Sequence, residues 1–534
     1  MTEKTSTDQV RAIAEGYTFS GPAIALGAAL VDGQVHAGAP VRLPLAMMNR
    51  HGLVAGATGT GKTKTLQLMA EQLSSAGVPV FLADIKGDLS GLSSPGEPNE
   101  KITARATDVG MDWSPASFPV EYYALGGDGT GIPLRARVSS FGPILLARIM
   151  DLNETQESSL QLIFHWADQQ GLELYDLKDL RAVITHLTSP EGKASLAELG
   201  GLSKATAGVI LRELVGLEAD GMEKFFGEPE FDSKDVLRNA EDGRGVISCL
   251  ELPTVQTKPA LFSTFLMWLL ADLFADLPEV GDVDKPKLVF FFDEAHLLFK
   301  DASPAFLDAI LTTVRLIRSK GVGIFFVTQT PKDVPGDVLG QLANRVQHAL
   351  RAFTPDDAKA LKATVATFPV SGYDLSSVLT SAGTGEAVIT VMNERGAPTP
   401  VAWTRMVAPR SLMGPAPADA MRATVAASAG QAAYGTPVDS PSAFEKLAAR
   451  SAPVGAGSRS GTGSGSGSDA EARRIEDEIM REPERREPER REPERPRSTS
   501  RAQRNPLLDV AADIAGQVGR EFVRGLFGTR RRRR

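Results

Sequence analysis

Cysteine is nearly missing from this chain: Cys249 is the single one in 534 residues. That excludes an internal disulfide and any multi-cysteine zinc site, and it fits a reducing cytoplasm. Aromatic residues are also sparse, at 6%, against 51 glycines and 34 prolines. Such an imbalance points to a compact part joined to a disordered part. An excess of positive charge is absent too. The formal net charge of −8 argues against coating nucleic acid through bulk charge and leaves only local basic patches for that purpose. No secretory signal opens the chain, because residues 1–8 are polar rather than basic and then apolar. The most apolar window, residues 261–277, carries Asp272 and Asp276 and falls short of the ~20 apolar residues that span a bilayer. It reads as a buried amphipathic helix. At about 150 residues per domain, the length allows two to four domains and a large core.

What is present is organised around one short stretch. Gly56-Ala57-Thr58-Gly59-Thr60-Gly61-Lys62-Thr63 fits the phosphate-loop pattern G-x-x-x-x-G-K-[ST] at every fixed position. The glycines let successive backbone N–H groups turn inward toward phosphate oxygens. Lys62 would reach the β- and γ-phosphates of ATP, and the Thr63 hydroxyl would ligate Mg²⁺. Apolar Leu53-Val54-Ala55 supplies the preceding strand, and helix-forming residues follow at once over 65–72. The phosphates would therefore also sit on a helix N-terminus. The nucleotide-binding set is thus Gly56, Ala57, Thr58, Gly59, Thr60, Gly61, Lys62, Thr63 and Lys64.

Taken in order, residues 1–49 hold a few short strands. Residues 50–134 begin the nucleotide core, where a second buried strand, Val78-Pro79-Val80-Phe81-Leu82-Ala83, ends in Asp84-Ile85-Lys86-Gly87-Asp88. Strand, helix, strand at this spacing implies a right-handed crossover and a parallel sheet, with ligands at its C-terminal edge. Residues 135–244 form an α-helical insertion, with Asn153 and Gln156 spaced as a capping box and helices over 177–187 and 205–217. His165, Trp166 and His186 in it are packing or surface residues. Residues 245–408 resume the core. Strands are expected at 245–250, 288–292, 323–329 and 346–353, with a helix over 305–320 and a terminal hairpin around Asn393-Glu394-Arg395-Gly396. Residues 409–505 read as a disordered linker containing a Gly/Ser run and three Arg-Glu-Pro-Glu-Arg repeats. Residues 506–534 read as an amphipathic helix with five terminal arginines. Its apolar stripe points first to packing on another subunit, with DNA or an anionic membrane surface as the other options.

The chemistry needs acids opposite the phosphate loop. Asp293 and Glu294 close the apolar run Leu288-Val289-Phe290-Phe291-Phe292. Asp293 would hold the Mg²⁺ shell and Glu294 would activate the attacking water; the alternative is an ordinary helix cap after a strand. Gln329, at the tip of the next strand, would stand beside the γ-phosphate. An arginine from a neighbouring subunit would neutralise the transferred phosphoryl group. Arg315, Arg318, Arg345 and Arg351 are candidates, with Arg345 and Arg351 favoured because they flank the last core strand. Asp293-Glu294-Ala295-His296 also spells a superfamily-2 helicase box, but the interval from Lys62 is far too long and no second ATPase domain follows.

These ordered motifs, with Asn49-Arg50-His51-Gly52, Asp84-Ile85-Lys86-Gly87-Asp88, Val327-Thr328-Gln329-Thr330-Pro331, Asn344-Arg345-Val346 and Gly385-Glu386-Ala387, resemble the HerA/FtsK superfamily. Within it the chain is similar to the HerA-like, YjgR-type helicases and translocases over residues 20–405. The resemblance implies an α/β, RecA-like P-loop NTPase core with a mostly parallel sheet. It also implies ATP and Mg²⁺ as ligands, a homo-oligomeric ring, hexameric by analogy, and double-stranded DNA in its pore. Lys62, Thr63, Asp293, Glu294 and Gln329 would keep the roles given above, and Arg345 or Arg351 would act in trans. A nuclease or other protein partner is a further implication, although fewer than ~50 residues stand where HerA carries a docking β-barrel, and no winged helix of the FtsK kind is evident. The expected function is an ATP-driven DNA motor. The alternative is a nucleotide-switched scaffold that moves no DNA.

Overall fold

The structure is a computed structural model that describes residues 3–196, 201–253, 259–300, 302 and 304–451. Two compact units divide the chain. The larger comprises Met1–Arg135 and Pro229–Val438 and is built on one 12-stranded sheet. Its strands are β1 (Ala23–Val31), β2 (Gln34–Pro44), β3 (Gly52–Ala55), β4 (Val80–Asp84), β5 (Val120–Leu125), β6 (Ile132–Leu134), β7 (Ile247–Glu251), β8 (Leu288–Phe292), β9 (Val322–Thr328), β10 (Asn344–His348), β11 (Glu386–Thr390) and β12 (Ala402–Met406). Across the sheet they run β2-β1-β12-β11-β10-β3-β9-β8-β4-β7-β5-β6.

From β10 through to β6 every pairing is parallel. The four strands at the other end, β11, β12, β1 and β2, are antiparallel. The parallel strands read as unbroken apolar runs because both faces are covered. In β8 and β9 every residue is buried, and stacked rings at Phe292 and Phe326 tie the two strands together. The strand leading into the phosphate loop, β3, lies beside β9, and β9 lies beside β8. The C-terminal tips of all three therefore open on one edge. This is the α/β P-loop core with a mostly parallel sheet that the sequence implies.

Several elements differ from expectation. The strand anticipated over 346–353 ends at His348, and it is not the last of the sheet, since four more strands extend beyond it. Residues 1–49 hold more than short strands. Helix α1 (Glu3–Gly16) precedes two long strands, buries Ile13, and leads into the buried Tyr17. The Tyr17 hydroxyl then donates to the carbonyls of Ile389 and Pro400. The helix at Pro259–Asp276 is not amphipathic. From Leu261 to Ala271 all its side chains are buried, as expected for a helix apolar on every side. No described helix is long and apolar enough to cross a membrane.

The second unit comprises Ala136–Glu228 together with residues from Asp439 onward. It packs helices Glu154–Gln169, Leu177–Thr188 and Lys204–Ala219 around Leu160, Ile163, Val183, Ile184, Ile210 and Leu214. The Asn153/Gln156 capping box forms with both reciprocal bonds, at 2.9 and 3.1 Å. Trp166 is buried, with the His186 ring 5.4 Å from it. Residues 409–451, expected to belong to a disordered linker, carry helices Ala418–Ala427, Ala429–Tyr434 and Ala443–Ser451. The last is anchored within this unit, where Asp179 accepts from the Phe444 N–H at 3.0 Å. Buried anchors such as Met421, Tyr434 and Leu447 give this Ala-rich stretch enough apolar area to order. The Gly/Ser run, the Arg-Glu-Pro-Glu-Arg repeats and the terminal basic helix lie outside the described residues.

Candidate functional site

Helix α2 (Lys62–Ser75) starts directly from the phosphate loop, with Gly61 at its N-cap in a left-handed conformation, φ 116°. Leu66, Met69 and Leu73 seat it in the core, which fixes where its first turn points. The loop is held from three sides. The Gly56 N–H donates to the Thr328 carbonyl at 3.2 Å, the Ala57 N–H to the Ala349 carbonyl at 2.8 Å, and the Gly385 N–H to the Thr60 carbonyl at 3.0 Å. The glycine requirement at position 56 is spatial: a Cβ there would lie 2.5 Å from the His348 Cβ. His348 is fully buried and bridges α2 to β11. Its Nε2 is 2.9 Å from the Thr65 hydroxyl, and its Nδ1 is 2.8 Å from the Glu386 carbonyl.

Lys62 folds back over the loop, its ammonium donating to the carbonyls of Gly56 at 2.6 Å and Ala57 at 3.2 Å. Burial lowers its pKa, while Glu294 and then Asp293 oppose that shift. Both acids are therefore within electrostatic reach of the loop lysine. They sit just past the β8 tip, where the Asp293 carboxylate accepts from the Glu294 N–H at 2.9 Å. Burial, and next the charge of Glu294, push the Asp293 carboxyl up to about 7. Glu294 adopts φ 47°, a left-handed conformation for a residue bearing a side chain. Burial would raise its carboxyl as well, but the Lys86 ammonium outweighs that effect and holds its pKa below the ordinary value.

Lys86 is presented by the β4 tip. Asp84 shapes the turn there by accepting from four backbone N–H groups, Gly87 at 2.7 Å, Asp88 at 3.2 Å, Leu89 at 2.7 Å and Ser90 at 3.2 Å. From that turn the Lys86 ammonium reaches Glu294 Oε1 at 2.9 Å. One strand further out, Glu251 pairs in register with Asp84 and accepts from the Cys249 thiol at 3.3 Å. Burial, and then Asp84, push the Glu251 carboxyl up to about 8.

Gln329 follows the β9 tip and lines a cleft of about 370 Å³ with Ala57, Thr58, Thr330, Arg351 and Phe353. Arg351 thus faces the mouth of the phosphate loop. Arg345 does not: it lies early in β10, paired in register with Leu53, and its guanidinium donates to the Thr367 hydroxyl at 2.6 Å. Thr63 occupies the first turn of α2. Lys64 turns along that helix to Gln67 at 3.2 Å, and burial lowers its pKa. Two motifs noted in the sequence act as pins at the N-terminal ends of β10 and β3, opposite the loop. Asn344 donates to the carbonyls of Met47 and His51, both at 2.9 Å, and His51 is locked between Val314 and Ile324. Sequence reading missed His348 and the Lys86 to Glu294 contact. A histidine closing the otherwise buried run Val346-Gln347-His348 is the only local signal for the former. The latter joins residues 208 positions apart, and no local signal marks it.

The side chains suit a magnesium-bound triphosphate. Lys62 spends its donors on loop carbonyls that phosphate oxygens would replace. A hydroxyl at Thr63 and a carboxylate at Asp293 are hard oxygen donors of the kind Mg²⁺ takes. The raised Asp293 carboxyl is a half-buried acid whose charge a divalent cation would stabilise.

The chain is similar to several known proteins. The curated DNA double-strand break repair helicase HerA of Sulfolobus acidocaldarius is 23% identical over 373 residues, which is 65% of this chain and 64% of the relative. The chain thus spans about two thirds of that protein's length. Among solved structures, the bacterial conjugative coupling protein TrwB, lacking its first 70 residues, is 16% identical, with a TM-score of 0.48 over 76% of this chain and 94% of that one. VirB4 of Thermoanaerobacter pseudethanolicus is 16% identical, with a TM-score of 0.45 over 73% and 97%. The description of the helicase HerA-like C-terminal family matches residues 30–534, nearly the whole sequence, and the chain belongs to that family.

Proposed function

We propose that the protein hydrolyses ATP between subunits of a ring and uses the cycle to move or unwind double-stranded DNA. One observation carries the hydrolytic part: the phosphate loop and the Asp293-Glu294 pair sit at the tips of strands separated only by β9, and Lys62 feels both acids. In this reading the loop amides and Lys62 bind the phosphates, and Gln329 contacts the γ-phosphate from the β9 tip. Thr63 and Asp293 hold Mg²⁺, which spreads the charge of the transferred phosphoryl group. Glu294 takes the proton of the attacking water. Of the two arginines proposed to act on a neighbouring subunit's nucleotide, Arg351 stands at the cleft and Arg345 is engaged with Thr367.

The DNA part rests on family membership and on the printed name of the Sulfolobus acidocaldarius relative. The test is the ATPase rate of a size-resolved oligomer, with and without duplex DNA, over a salt series. Stimulation that falls steeply with salt is expected of a phosphate-backbone contact. A rate indifferent to DNA would instead favour the nucleotide-switched scaffold. Glu294→Gln should bind ATP normally and lose on the order of 10²- to 10³-fold in turnover. Wild-type turnover in that variant would remove Glu294 from the reaction.

A further inference from the structure

The pose of Glu294 does not suit the work assigned to it. A general base needs an oxygen lone pair open to the water it deprotonates. Here Oε1 is taken by the Lys86 ammonium at 2.9 Å, while Oε2 is buried without a hydrogen bond, 3.3 Å from His296 Nδ1. The direction of the Lys86 contact matters as much as its length. In the sheet, β8 lies between β9 and β4. The phosphate loop stands on the β9 side and Lys86 reaches Glu294 from the β4 side, so the carboxylate lies between the two lysines, within electrostatic range of Lys62 and bonded to Lys86. Lys86 is itself well placed to do this, because Asp84 fixes its turn through four backbone hydrogen bonds. The left-handed backbone at Glu294 belongs to the same arrangement: it is a conformation that surrounding contacts must hold in place.

We propose that Lys86 is a positioning residue that restrains Glu294 by occupying its one accessible carboxylate oxygen, and that this ion pair must open before Glu294 can activate water. The groups facing Glu294 are Lys86 from the β4 turn, Lys62 from the phosphate loop, and Asp293 and His296 from its own segment. Lys86 holds Glu294 from a half-open side chain, 46% exposed against 11% for its partner. It can therefore swing out without unpacking the core, which Glu294 cannot do.

The inference rests on Glu294 being the base, so the experiment separates the two claims. Wild type, Glu294→Gln, Lys86→Met and Lys86→Arg are compared in steady-state ATP hydrolysis without DNA. If restraint is the role, Lys86→Met raises kcat by roughly tenfold, the rate equivalent of about 1.4 kcal/mol for one charge-assisted hydrogen bond. KM stays unchanged, and Lys86→Arg behaves as wild type. A readout independent of turnover comes from urea unfolding of the nucleotide-free protein in a double-mutant cycle over Lys86 and Glu294. The pair should couple by about tenfold in the folded-to-unfolded ratio. A tenfold loss of kcat in Lys86→Met, or a cycle with no coupling, overturns the inference. Equal turnover in wild type and Glu294→Gln would instead overturn the assignment of the base.

Discussion

His51 offers a sharp test of how the strand that leads into the phosphate loop is anchored at its start. Its ring is 2% exposed and bonded on both sides: Nδ1 accepts from the Ile324 N–H at 3.0 Å, and Nε2 donates to the Val314 carbonyl at 2.8 Å. Only the neutral tautomer satisfies both, because a second proton on Nδ1 would face an N–H. Burial is the main cause, and the charges of Arg318 and Arg50 add to it while the Val314 bond opposes; together they take the pKa from 6.5 down to about 4. The unfolded chain therefore accepts a proton that the folded one refuses. Stability from this residue is fully present above pH 6.5 and is lost as pH falls toward 4. At about 1.4 kcal/mol per unit, the full loss is about 3 kcal/mol, of which about 2 kcal/mol is gone by pH 5. His348, likewise held near 4 chiefly by burial, should add a similar amount. Urea unfolding at pH 7.5, 6 and 5 measures the slope. With only six histidines in the chain, their imidazole NMR resonances can be assigned by substitution. His51→Gln should be less stable at pH 7.5 yet lose about half of the acid dependence. A His51 resonance titrating near its ordinary value, or an unaltered slope in the variant, would refute the reasoning.

The two loop glycines should respond differently to alanine. Gly56→Ala drives a Cβ to 2.5 Å from the His348 Cβ and should cost about 1–3 kcal/mol in unfolding free energy along with most nucleotide affinity. Gly59→Ala, at φ 78° with open space around it, should cost only about 1 kcal/mol of backbone strain. Equal effects on calorimetric stability would contradict the spatial account. Glu251 keeps its proton in the fold up to about pH 8, so the stability it contributes is complete below pH 4.5 and lost as pH rises through 8. Glu251→Gln should therefore gain about 5 kcal/mol over wild type at pH 9 and only about 1 kcal/mol at pH 5. Parallel melting-temperature profiles for the two proteins would show that the carboxyl is ionised throughout.

The parts of the fold that could be read from sequence are those whose signal is local. The phosphate loop, α2, β8 and β9 each announce themselves within a dozen residues, through glycine spacing or an unbroken apolar run. Strand β5 did not, since Glu121 and two tyrosines interrupt its pattern, and the Tyr122 hydroxyl is satisfied only by Ser90 and Ser93 far upstream. Helix α1 carries little local signal, since among its described side chains Ile13 is the one fully buried, with Tyr17 just beyond it. The helix after β10 carries a complete Thr354/Asp357 capping box that was legible but overlooked. In the site, the residues that touch phosphate in any loop of this kind were nameable. Those that hold them, Lys86 on Glu294 and His348 under Gly56, depend on which strands become neighbours, and no spacing within one segment encodes that. Arg345 and Arg351 separate for the same reason: six positions apart in sequence, one belongs to the interior of a strand and the other to its mouth.

The bond between the Thr60 carbonyl and the Gly385 N–H has a mechanical consequence. The Gly385 carbonyl is itself gripped by Arg105 of the helix Glu100–Val109 at 2.9 Å, and the next residue, Glu386, is joined through Arg405 to Asp108 of that helix. Any reshaping of the loop around a nucleotide must pull on this linkage. The antiparallel end of the sheet is therefore harnessed to the contents of the pocket, like a rudder to its tiller.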